Sequence, residues 1–384
     1  MSEYQYYEFR TVDRPLDRAA QAALRRISSR ARITATSFTN HYEWGDLKGN
    51  PREFMERWFD LHLYVANWGT RRLMMRLPER LLNRAEVDPF LRGVDCAEIW
   101  SAGDNLIVDI CREEVAFDDD WDDGSGWLAE LAPLRASLLA GDLRPFYLLW
   151  LTAVQDELVC DDELEPLAGI GPLTRALEVF AEFFGIDPDL VQAAAEQASS
   201  DEPASEEDVR EAVAAIPERE KVELLLRVAS GDALVAAELA KRLQKKTGRC
   251  LTRRTAGSLR QRVREIEEAH GRAEAERREA ERRREAEAAE NARRLRLEAL
   301  KQRGEKVWRE VEEEIGRRNS SGYHRAANLL SDLEALAVEE GNQGDFARRL
   351  ASIRARHEKK GRFIERLAAL DAARAMGASG LLRR

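Results

Sequence analysis

Residues 258–315, SLRQRVREIEEAHGRAEAERREAERRREAEAAENARRLRLEALKQRGEKVWREVEEEI, separate an N-terminal body from a C-terminal tail. The stretch contains no proline and consists chiefly of Glu, Arg, Ala and Leu, which lose little on entering a helix. It reads as one long charged helix of roughly 85 Å at about 1.5 Å per residue. Leu259, Val263 and Ile266 near its start and Leu295, Val307, Val311 and Ile315 near its end recur at close to heptad spacing. Between Arg272 and Arg294 the only apolar side chains are alanines, so no seam is available for burial there. Glu274 with Arg278 and Glu279 with Arg283 stand four apart with the acid first, each pair adding about 0.2–0.5 kcal/mol to an isolated helix. The expectation is a self-supporting helical spacer with packed or coiled-coil ends, and self-association through a continuous coil is its alternative.

Around this stretch the chain has 384 residues, 44% of them hydrophobic, enough for two or three compact units. The formal charge of -10 is unevenly spread. Residues 1–250 carry 29 Lys+Arg against 47 Asp+Glu, whereas residues 251–384 carry 32 against 24. An acidic body with a basic tail can engage an anionic partner through one end only. The opening MSEYQYYEFR lacks the basic-then-apolar order of a secretory signal, and no apolar run is long enough to span a bilayer. Cys96, Cys111, Cys160 and Cys250 are widely scattered, without metal-ligand spacing, and read as buried reduced thiols of a cytoplasmic protein. No cofactor and no metal site are implied.

Residues 1–117 read as an α+β domain with a mainly antiparallel sheet and helices against one face. Residues 4–12 and 32–44 suit strands, 17–29 has helical spacing, and Asn50 with Pro51 opens a helix as N-cap and first residue. Leu61, Leu63 and Val65 alternate with His62, Tyr64 and Ala66, and Trp68-Gly69-Thr70 turns the chain into a second strand at 71–77. A further hairpin is expected around residues 103–105. Seven of eight tryptophans lie in the first 150 residues, and most should fill cores. Trp44 and Trp68 adjoin turns instead, which makes them the candidate partner-binding aromatics of this end. His41, Glu43, Asp46 and His62 could converge as acid and base, although nothing in their spacing requires it.

The acidic stretch DDDWDDGSG at 118–126 approaches EF-hand spacing but reads as a linker, because Trp121 stands where a ligand oxygen is needed. An all-helical domain is expected over residues 118–246, with a polar boundary at 199–205. Residues 317–384 read as a basic helical hairpin. Phe346, Leu350 and Ile353 form an apolar stripe suited to docking a partner. Arg348, Arg349, Arg354, Arg356, Lys359 and Lys360 are the candidates for phosphate contact.

The opening YQYYEFRTVDRPL, with ARITATSFTNHYEWGDLKGNP and HLYVANWGTRRLM, resembles a group of uncharacterised bacterial proteins that share this segment over roughly the first 80 positions. No activity attaches to that resemblance. The tail, with LLSDLEALA and FARRLASIRARHEKKGRFIERL, is similar to the C-terminal end of bacterial proteins related to SWIM zinc-finger proteins. The CxC and CxH zinc pattern of those proteins is absent here, so metal binding is not carried over. That resemblance implies work beside nucleic-acid-handling machinery.

Three function classes fit these features. The first is a non-catalytic interaction or scaffold protein with a folded head and a rod-borne C-terminal docking hairpin. The second is a nucleic-acid-binding accessory of a bacterial nucleic-acid-handling or defence system, distinguished by whether the Arg/Lys face of residues 348–366 is free or paired. The third is an enzyme of unknown class in the N-terminal domain. P-loop, GxGxxG, HExxH and GxSxG patterns are all missing.

Overall fold

The computed structural model describes residues 3–115, 123–197, 206–232, 234–244 and 252–368. It divides into two compact units, residues 1–270 and residues 271–384.

The first unit begins with strands and short helices: β1 (Gln5–Arg10), α1 (Arg18–Ile27), β2 (Arg32–Ile33), β3 (Ser37–Tyr42), α2 (Pro51–Arg57), β4 (Leu61–Ala66), β5 (Arg71–Pro78), α3 (Arg84–Val87), β6 (Ala97–Ala102) and β7 (Asn105–Arg112). The seven strands form one sheet in the order β2-β3-β1-β4-β5-β7-β6, with every pair antiparallel. Asn50 caps α2 as expected, accepting from Arg52 N, and Asp17 caps α1, accepting from Ala20 N.

The rest of the unit is helical: α4 (Trp127–Leu131), α5 (Pro133–Leu139), α6 (Arg144–Gln155), α7 (Arg175–Phe183), α8 (Pro188–Ala195), α9 (Glu206–Ala215), α10 (Glu218–Ala229) and α11 (Val235–Gln244). The sheet is covered on both faces rather than one. Phe9, Phe38, Met74 and Ile107 pack under α1 and α2 through Leu24, Phe54 and Met55. On the other face Leu61, Leu63, Leu73 and Val108 share a core with Leu134, Phe146, Trp150 and Phe180. The α+β and helical segments are therefore one compact unit, and the division expected near residue 117 is not a division between cores. Strand alternation is why β4 buries nearly all its side chains: odd positions meet α4–α8 and even positions meet α1 and α2. In α6 residues 145–154 are buried on all sides, so this helix is the centre of the second layer.

Asp60 joins the layers. It is fully buried and accepts from Arg76 Nη2 at 2.7 Å and from the backbone N–H groups of Val12 and Asp13. Arg135 of α5 reaches across to Asp13 at 2.7 Å and to the Arg76 carbonyl.

α12 (Ala256–Arg303) is continuous for 48 residues. Ala256, Leu259 and Ile266 are buried in the first unit, residues 267–296 are all exposed, and Leu297 and Leu300 are buried in the second. The helix expected over 258–315 stops at Gly304, which has φ of +52° and starts α13 (Glu305–Gly316). Within the second unit α13, α14 (Ser320–Glu339), α15 (Gln343–Arg356) and a helical turn run at residues 361–368 enclose Val307, Val311, Leu330, Ile353 and Phe363. Phe346, Leu350, Ile353, Ile364 and Leu367 have the spacing of one apolar stripe in the sequence, but the chain leaves the helix at 357–360, so the stripe is split rather than carried on one helix.

Cys96 and Cys111 are half-buried free thiols, and Cys160 is exposed, not buried as expected. The sequence features at 118–122, 199–205 and Cys250 lie outside the described residues. No helix among those described is long and apolar enough to cross a membrane.

Candidate functional site

The face of the sheet that carries α1 and α2 leaves a cleft of about 420 Å³ beside them, over β1, β4 and β5. Antiparallel pairing explains its floor. Tyr7 lies opposite Tyr64, and Tyr64 opposite Arg72, so three side chains from three strands point the same way. Gln5 organises them: its amide oxygen accepts from Tyr7 at 3.1 Å and Tyr64 at 2.9 Å, and its amide nitrogen donates to the Gly45 carbonyl at 2.9 Å. Asp46 accepts from the Tyr7 hydroxyl at 2.6 Å and from its neighbour Leu47 N at 2.6 Å. Arg72 holds Asp109 through two hydrogen bonds of 2.8 and 2.5 Å.

These bonds fix the protonation states. Burial, followed by the Asp46 hydrogen bond, pushes the Tyr7 phenol far above its ordinary range, and burial raises Tyr64 to about 12. His62 stacks on Phe9 with ring centres 3.9 Å apart, and burial pulls its pKa down to about 3. It is therefore neutral near pH 7. The Glu8 carbonyl accepts from its Nδ1 at 3.0 Å, which leaves Nε2 a bare acceptor without a protein partner.

The acid–base group suggested by the sequence does not assemble. His41 stacks on Tyr4 on the opposite face of the sheet, whereas Asp46 and His62 line the cleft. The described residues contain no cluster of three or more His, Cys, Asp or Glu arranged to hold a metal ion. A larger cleft of about 1450 Å³ beside Leu16 and Leu234 has two of its arginines already paired, Arg76 with Asp60 and Arg80 with Asp232 and Glu238.

Trp68 lines the cleft and is 49% exposed, and Trp44 is 74% exposed. Neither sits on a loose loop. The Trp68 turn closes through Gly69 N to the Ala66 carbonyl, and Asn67 N donates to the Tyr4 carbonyl. Gly69 has φ of +92°, and a Cβ there would lie 3.0 Å from the Val115 carbonyl oxygen, so only glycine lets the turn pass this close to the strand end. Trp44 precedes the Gly45-Asp46 pair that Gln5 and Tyr7 hold down. Gln5, Tyr7, Tyr64 and Arg72 were not singled out by the sequence; tyrosines at period two were visible, but the strand order that brings them together was not.

The C-terminal candidates are placed differently. Phe346 and Ile353 are buried in the core of their own unit and Leu350 is half-buried against it. The stripe read as a docking surface faces the chain's own α13 and α14. Among the basic candidates, Arg348 pairs with Asp345, Arg349 with Glu305 and Asp345, and Arg356 with Glu312. Lys360 donates to the Ile315 carbonyl at 3.0 Å, Arg354 is half-buried, and Lys359 is exposed. No protein-family model, curated protein or solved structure matches the chain.

Proposed function

We propose that the protein is a non-catalytic interaction protein whose first unit holds a protein partner at the face bearing Trp44 and Trp68. The single observation that carries this reading is the combination of two exposed indoles with backbone pinned by hydrogen bonds to the sheet. An aromatic anchor held in place before binding loses little conformational freedom on association, and anchors of this kind dominate interface energies. The cleft beside Trp68 supplies hydroxyl, amide and carboxylate groups for the polar contacts that orient a bound segment. The alternative of a nucleic-acid accessory is weakened by the pairing of Arg348, Arg349 and Arg356 within their own unit.

The test compares wild type, Trp44→Ala and Trp68→Ala in the full chain. Thermal stability should be unchanged in Trp44→Ala, whose side chain is largely in water, and lowered only modestly in Trp68→Ala, whose side chain is about half exposed. Affinity for the protein that co-purifies from the native host should fall about thirtyfold per anchor, the equivalent of about 2 kcal/mol. Equal capture by all three proteins would reject the reading, and so would submicromolar binding of the unmodified chain to DNA or RNA at physiological salt.

A further inference from the structure

The amphipathicity of α10 is reversed. Val222, Leu225, Leu226 and Ala229 recur at i, i+3, i+4 and i+7 and therefore form one stripe. That stripe faces solvent: Val222 is 50%, Leu225 67% and Leu226 65% exposed, and Ala229 is exposed as well. Leu224, on the opposite side, is the buried residue of the helix. The side of Leu224 also carries Val228, 55% exposed, and the ion pairs of the helix, with Arg227 bonded to Asp232 and Glu238, and Glu220 bonded to Arg242. A helix normally turns its apolar stripe to the core and its ion pairs to water. Here the ion pairs attach the helix to its own unit and the aliphatic stripe is left outside. Six of the thirteen large apolar side chains exposed among the described residues lie on α9 and α10. An exposed aliphatic patch of this density marks a recognition surface.

We propose that α10 is a docking helix whose outward stripe, Val222, Leu225, Leu226 and Ala229, seats in an apolar groove with a basic rim on a protein partner. The four-anchor spacing is that of a helix laid into a groove. The basic rim is inferred from charge: α9 and α10 together carry seven acidic against four basic side chains, Glu207, Glu211 and Glu223 being exposed alongside Arg210 and Arg219. A second copy fits poorly as the occupant. Its association would bring two such acidic regions together, and the cleft of about 1450 Å³ beside Leu16 and Leu234 is walled by charged groups such as Arg14, Arg76 and Asp232. The docking helix has in common with the Trp44 and Trp68 face only that its partner is a protein, and it is a different surface.

The experiment uses the full chain with p-benzoylphenylalanine at position 226, crosslinked in the native host, then purification of the attached protein and measurement of its affinity. The expected crosslink is to one different protein. Leu225→Glu with Leu226→Glu should weaken that protein's binding about 100-fold, the loss of two central anchors. Leu295→Glu, at a site 63% exposed on α12, should leave it unchanged. Affinity should fall as salt rises. The double variant should keep the wild-type melting temperature and lose binding of the dye anilinonaphthalene sulfonate. A crosslink to a second copy with a dimer in sedimentation, salt-independent binding, or a melting temperature lowered by the double variant would each overturn the proposal. Trp44→Ala with Trp68→Ala should leave the position-226 crosslink in place, so failure of one surface is separable from failure of the other.

Discussion

At the residue scale two fully buried polar groups, Asp60 and His62, depend on named partners. The buried Asp60 carboxylate group accepts from Arg76 and from two backbone N–H groups. Asp60→Ala should destabilise the protein by about 3–5 kcal/mol, because it leaves the arginine and both amides without their acceptor. Asp60→Asn, which keeps one acceptor oxygen, should cost less, and urea unfolding of the two variants checks the order. His62 gives a pH prediction. Its folded pKa of about 3 lies below the ordinary 6.5, so the unfolded chain binds a proton that the folded one refuses. Its contribution is fully present above pH 6.5 and is lost as pH falls toward 3, at up to about 1.4 kcal/mol per pH unit. His62→Phe should flatten the acid limb of the stability profile between those values. An unaltered slope in melting curves taken from pH 7 to pH 4 would show that other groups set it.

At the element scale α12 is governed by its ends. Before its first turn, Arg254 donates from its backbone and side chain to the fully buried Glu165, which also accepts from Tyr147 at 2.5 Å. Removing one partner strands the other in the core, so Arg254→Ala should cost about 3 kcal/mol or more in chemical unfolding of the first unit. The exposed middle behaves in the opposite way. Ala286→Pro breaks a stretch supported by propensity and by pairs such as Glu274 with Arg278 at 2.5 Å, not by packing. It should destabilise the local helix by about 3 kcal/mol, read as a smaller helical circular dichroism signal, while the cooperative melting of both units stays where it was. A common downward shift of both transitions would mean that the middle is packed.

At the scale of the whole molecule the boundary between units falls at residue 270 and not near 246. Ala256, Leu259 and Ile266 belong to the core of the first unit, as does the Arg254–Glu165 pair. A chain truncated after His270 should therefore fold with a sharp thermal transition and a fixed near-ultraviolet spectrum. Truncation after Lys246 should melt lower, by roughly the several kcal/mol that burying three apolar side chains and one ion pair contributes. Equal melting of the two would show that the start of α12 is not part of that core.

The amino-acid order by itself determined whatever depends on neighbours in sequence. The β4–β5 hairpin was legible from the alternation of Leu61 to Ala66 around Trp68-Gly69, the α2 cap from Asn50, and the exposed helix middle from alanines among charges. The exposure of Trp44 and Trp68 was legible too, because turns seldom bury an indole. The remainder depended on groups distant in sequence. No local pattern says that β1 lies between β3 and β4, yet that order alone joins Gln5, Tyr7, Tyr64 and Arg72 in one cleft. Phe346 and Ile353 had the spacing of a docking stripe, and only the packing of α13 and α14 showed that their stripe was already covered. In α10 the same periodicity has the reverse outcome. Period states which side chains share a face, and tertiary contacts alone decide whether that face looks inward or out.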